Sequence, residues 1–145
     1  MNLSEENRTT LLTHLHKSVE EAANIMANHL NNGRTNQLID YPPNGGLTEE
    51  EKESLQQLKN NNTLTDALRK VFASNSASVL FELFNIIDGT GDPDPGTGDW
   101  SEITLVDMPE DFDQHVEFLH DNFYETYQNW RNKRKADFKL DLLDD

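Results

Sequence analysis

The segment from Val79 to Asp113 joins the most hydrophobic part of the chain to its most acidic part. Seven of the nine side chains in residues 79–87 are apolar, and Gly89 follows where a glycine commonly ends a helix in the left-handed conformation. We therefore expect a helix over 79–87 that is buried around most of its circumference. Residues 89–99 are rich in glycine, proline and aspartate, which predicts a loop.

Acidic residues are concentrated in one part of the sequence. The chain has 145 residues and a net charge of −15, and residues 76–113 carry ten of its acids with no lysine or arginine. Such a surface repels nucleic acid and anionic membranes, and it attracts basic proteins or cations. We therefore expect no direct nucleic-acid or membrane partner, and we expect a basic protein partner.

Apolar residues at steps of three and four predict most of the helices. A long amphipathic helix is expected from Leu3 to Leu30, and a short one is expected to begin at a capping box of Thr48 and Glu51. The segment 66–88 is one helix or two, and its serine-rich centre favours two. Asp107-Met108-Pro109 has the composition of a helix start, and an aromatic stripe follows it.

A small β element is predicted beside these helices. Residues 103–106 are Ile-Thr-Leu-Val, and the alternating residues 138–142 are the segment that we expect to pair with them. The tail 136–145 is also compatible with a helix or with disorder. The predicted fold class is mainly α, a single-domain helical bundle over 1–145 with four to five helices and a two-stranded β element. An α+β class is the alternative.

Cellular location follows from what the sequence lacks. It contains no cysteine, its first residues do not resemble a leader, and no apolar run approaches the roughly 20 residues that span a bilayer. We expect a cytoplasmic protein.

A cation site is the first alternative to a protein-binding surface. Aspartates in a glycine-rich loop offer oxygen ligands to Ca²⁺ or Mg²⁺, and the candidates here are Asp88, Asp92, Asp94 and Asp99. The EF-hand pattern fails, because a count from Asp92 places threonine at position 6 and isoleucine at position 12. No catalytic motif is present, so an enzyme is not favoured. A cation-dependent hydrolase or cation-binding protein remains the alternative.

The leading hypothesis is a non-enzymatic protein that docks a basic partner. Its carboxylates would attract the partner and Trp100 would anchor it. The candidate binding residues are Asp88, Asp92, Asp94, Asp99, Trp100 and Glu102. In size, charge and lack of cysteine the chain resembles immunity proteins and DNA-mimic inhibitors, although no motif carries that resemblance. A scaffold or self-associating subunit is a further alternative, and the oligomeric state is open.

Overall fold

The chain is mainly helical, as predicted. A computed structural model describes residues 3–43, 45–112 and 119–133. Its helices are α1 (Glu5–Asn31), a 3-10 turn (Thr35–Gln37), α2 (Glu49–Gln56), α3 (Asn62–Ile87), α4 (Leu119–Glu125) and α5 (Tyr127–Lys133). In these ranges no helix is long and apolar enough to cross a membrane.

The backbone divides into two compact units. The first, which we call the acidic unit, comprises Met1–Ala27 and Asp66–Asp113, and the second comprises Asn28–Thr65 and Gln114–Asp145. The acidic unit contains fifteen acids and four lysines or arginines, a net charge of −11, and the second unit contains the remaining −4. This division of the backbone does not test whether residues 1–145 form a single domain, which stays a prediction.

Helix α1 has a polar cap at each end. The backbone N–H of Asn7 donates to Ser4 Oγ at 3.3 Å, which is an N-terminal capping bond. At the other end Gly33 has φ of +68°, its N–H donates to the carbonyl of Leu30 and the N–H of Arg34 donates to that of His29. These two bonds form a Schellman motif, which satisfies the last carbonyls of the helix.

Helix α3 is continuous, so the expectation of two helices over 66–88 is wrong. It begins after Asn61, whose side-chain oxygen accepts from the N–H of Leu64 at 3.0 Å. Within the serine-rich centre, Ser78 Oγ donates to the carbonyl of Ser74 at 2.9 Å. A serine hydroxyl that donates to the carbonyl one turn earlier has its hydrogen bond within its own helix. A serine-rich sequence therefore does not have to interrupt a helix.

The hydrophobic end of α3 is far more exposed than its composition suggests. Val79 and Phe81 are each 64% exposed and Leu83 is 47% exposed, which contradicts burial around most of the helix. The acidic unit packs α3 against α1, and Arg69 Nε donates to Asn24 Oδ1 across that pair at 2.9 Å. Among the described residues of the acidic unit, α1 is the one helix beside α3, so it covers one face of α3 and the other apolar positions stay exposed.

The predicted β element does not form in the described residues. Residues 103–105 are irregular, Val106 makes only an isolated bridge, and residues 138–142 lie outside the described ranges. Nor do residues 107–110 begin a helix. Instead, the Asp107 carboxylate accepts from the N–H of Ser4 at 3.1 Å and from Asn7 Nδ2 at 2.9 Å, which places it at the start of α1.

The second unit contains the predicted capping box and an aromatic cluster. Thr48 Oγ1 accepts from the N–H of Glu51, and the Glu51 carboxylate accepts from the N–H of Thr48, so α2 begins as expected. Tyr127 is buried, and its ring contacts Tyr41 edge-on with 5.4 Å between centroids. Phe123 stacks on Tyr41 at 5.7 Å and remains 58% exposed. The aromatic stripe of the last helices is therefore only partly core.

Candidate partner-binding surface

The acidic loop, which we define as residues 88–105, begins at a fixed turn at the C-terminus of α3. Gly89 has φ of +67°, its N–H donates to the carbonyl of Ile86, and the N–H of Thr90 donates to that of Asn85 at 2.9 Å. This Schellman motif confirms the predicted role of Gly89. Gly91 N–H also donates to the Asn85 carbonyl, at 3.1 Å. Residues 89–91 of the loop are thus tied to the last turn of the helix.

A second turn orders the middle of the loop. The N–H of Thr97 donates to the carbonyl of Asp94 at 2.9 Å, and the Thr97 hydroxyl donates to the same carbonyl at 2.7 Å. Both bonds use the backbone of Asp94, so its carboxylate takes no part in them. Glycine and proline therefore shape a loop whose acidic side chains stay available.

The predicted site residues are exposed throughout. This holds for all six of them: Asp88, Asp92, Asp94, Asp99, Trp100 and Glu102. The three ion pairs among the described residues are local helical pairs elsewhere, formed by Lys17 with Glu21, Lys52 with Glu49 and Arg69 with Asp66. Over residues 76–112, therefore, no carboxylate is paired with a lysine or arginine of the described ranges.

Among the described acids of residues 76–112, Asp107 is the one whose carboxylate accepts hydrogen bonds. Hydrogen bonds from the Asn7 amide and the Ser4 N–H hold the pKa of its carboxyl below the usual value of 3.8. Its charge supports the start of α1. The sequence shows no sign of this contact, which joins residues about a hundred positions apart.

The loop aspartates do not assemble into a metal centre. In the ranges that the structure describes, no three histidine, aspartate or glutamate side chains lie where they could hold one ion. A Ca²⁺ site needs six to eight oxygen ligands around one point. Asp88, Asp92, Asp94 and Asp99 are spread along the loop, so this geometry gives the cation hypothesis no support.

An apolar groove between α1 and α3 adjoins the loop and was not predicted from the sequence. It consists of two cavities of about 310 and 240 Å³ that share Leu12, Phe81 and Phe84. Asp88 and Leu105 both line the smaller cavity, so the acidic loop leaves and returns at one end of the groove. Apolar spacing in α1 and α3 indicates that both helices have apolar faces, but it does not indicate how much of those faces stays uncovered.

Trp100 lies in the returning part of the loop with an exposed apolar stretch after it. Its side chain is 42% exposed, Ile103 is 48% exposed and Val106 is 58% exposed. An exposed apolar patch with polar residues at its rim is typical of an interaction site, and tryptophan is a common anchor in such sites.

Comparison with known proteins adds no further assignment. The chain matches no protein-family model, no curated protein and no solved structure.

Proposed function

We propose that the protein is a non-enzymatic binding protein that docks a basic protein partner through residues 88–102 of its acidic loop. One observation carries the proposal: the loop acids are exposed and unpaired among the described residues, next to a half-exposed Trp100. A surface of this kind is the one that immunity proteins and DNA-mimic inhibitors use, since they neutralise a basic partner with an acidic face. The absence of cysteine suits a cytoplasmic setting.

The two components of the surface contribute differently to binding. Like charges that are not locally neutralised produce a long-range field, which accelerates the encounter with a basic partner and weakens as salt is added. Trp100 contributes affinity, because an aromatic side chain that is desolvated in an interface is a common hot spot. We therefore expect the carboxylates to determine the association rate and Trp100 to determine the lifetime of the complex.

Charge-matched variants test the proposal. The loop variant combines Asp92→Asn, Asp94→Asn, Asp99→Asn and Glu102→Gln. The control variant removes the same four charges elsewhere, through Glu21→Gln, Asp40→Asn, Glu50→Gln and Glu53→Gln, all at exposed positions. Both variants have a net charge of −11.

The assay is affinity capture from a lysate of the source cells at low and high salt, followed by identification of the proteins retained. We expect the wild-type chain and the control variant to retain the same basic protein, with elution at moderate salt, and the loop variant to lose it. Purified partner then allows association rates to be measured against salt concentration. Equal retention by the loop variant and the control variant would show that the loop is not the binding surface.

A further inference from the structure

We infer that the groove between α1 and α3 holds an amphipathic helix of the basic partner. The apolar face of that helix would lie against the groove, with its lysines and arginines toward the acidic loop. The inference rests on the proposed function and specifies the kind of segment that binds.

The groove has the dimensions of a helix-binding site. Its lining residues extend from Arg8 to Val19 in α1 and from Ala77 to Ile87 in α3, and at 1.5 Å per residue each run is about 16 Å long. That length corresponds to about three helical turns. Three turns present apolar anchors at positions i, i+4 and i+7, the pattern by which grooves recognise amphipathic helices.

The floor of the groove retains apolar surface that a partner would bury. Phe81 is 64% exposed and Leu12 is 39% exposed, and both line the two cavities. A covered aromatic side chain buries about 150–250 Å², so Phe81 alone offers on the order of 100 Å² to a partner. Together with Phe84 and Leu80 it forms a contiguous apolar strip, which is the form that docking grooves take.

Charge complementarity indicates which helix occupies the groove. The acidic loop leaves the groove at Asp88 and re-enters it at Leu105, so a helix lying in the groove would end beside the loop carboxylates. Arg8 lines the same cavity, but the loop acids outnumber it by five to one. A second copy of the chain would bring another acidic unit of net charge −11, which opposes association, whereas a basic helix is attracted.

The probe is a labelled synthetic peptide of about fifteen residues with leucine at positions i, i+4, i+7 and i+11 and lysine at most others. A second peptide has the same composition in an order that gives no continuous apolar face. Binding to the full chain is measured by fluorescence anisotropy at two salt concentrations. We expect the patterned peptide to bind at least about tenfold more tightly than the scrambled one.

Two exposed residues of α3 provide the matched variants. Phe81 lines the groove and Val79 does not, although each is 64% exposed. Phe81→Ser should weaken the patterned peptide by about tenfold or more, and Val79→Ser should leave its affinity unchanged. Circular dichroism checks that both variants fold. Ala77→Gln, which fills the larger cavity, and its neighbour control Ser78→Gln give a second pair that keeps helix propensity.

The outcomes distinguish a failure of the groove inference from a failure of the proposed function. If both peptides bind equally and both are lost in the loop variant, the groove inference is wrong while the proposed function stands. If neither peptide binds and the loop variant captures the same proteins as wild type, both fail. Light scattering of the chain alone tests whether a second copy occupies the groove. A dimer that is lost in Phe81→Ser and kept in Val79→Ser would assign the groove to a second copy and overturn the inference.

Discussion

Gly89→Ala tests the turn from which the acidic loop begins. Gly89 has φ of +67°, and a Cβ at this position would have no atom within 4 Å, so the cost of the substitution comes from the backbone alone. A non-glycine residue in the left-handed region costs about 1–2 kcal/mol. Alanine also restricts the unfolded chain, which offsets about 0.4–1 kcal/mol. We therefore expect the free energy of unfolding to fall by about 1 kcal/mol.

A backbone that rearranges does not avoid this cost. If residue 89 adopted a negative φ, the bonds from Gly89 N–H to Ile86 and from Thr90 N–H to Asn85 would be lost. Each such bond contributes about 0.5–1.5 kcal/mol, so the rearranged turn is no more favourable than the strained one. The strained turn should therefore persist in the variant, with the loop still in place.

Two comparison variants make the assay specific. Gly89→Asn should lose less stability than Gly89→Ala, because asparagine tolerates the left-handed region better. Gly33→Ala should lose more, about 2 kcal/mol, since Gly33 has the same φ and its Cβ would lie 2.7 Å from Gln56 Oε1. It would also displace the amide that donates to the Gly33 carbonyl. Urea unfolding followed by circular dichroism measures all three. Equal losses for alanine and asparagine at position 89 would refute the backbone explanation.

Two further predictions concern the acids of this region. The pKa of Asp107 is lowered in the folded chain, so its stabilisation is complete above the usual value of 3.8 and is lost as the pH falls through the folded pKa. The stability of wild type should therefore fall more steeply below pH 3.8 than that of Asp107→Asn, as pH-dependent urea unfolding would show, and parallel curves would contradict this. Because the described residues contain no three-ligand metal group, millimolar Ca²⁺ or Mg²⁺ should leave the melting temperature unchanged, and a clear rise would revive the cation hypothesis.

Local motifs were predictable because neighbouring residues complete them. The capping box of Thr48 and Glu51 needs four consecutive residues, and the Gly89 turn needs the last turn of one helix. The candidate surface was predictable to the same extent, because a run without lysine or arginine cannot form an ion pair inside that run. Among the described residues, no lysine or arginine from elsewhere pairs with an acid of residues 76–112. The binding role of this surface remains a proposal.

Features that depend on distant residues were not predictable in this way. The residues around Asp107 predict that it caps a helix that follows it, but its carboxylate accepts hydrogen bonds from Ser4 and Asn7 at the start of α1. The exposure of Phe81 likewise depends on which elements pack against α3. The spacing of apolar residues along a helix does not predict how many elements pack against it.

The amino-acid sequence by itself determined the helical class, the position of the acidic loop and the turn that begins it, because propensity, charge and capping act over a few residues. Tertiary structure decided that α3 is continuous, that its apolar end stays half exposed, and that both ends of the loop meet the groove. Packing decides such features because burial is a property of two surfaces in contact, and a single segment specifies only one of them.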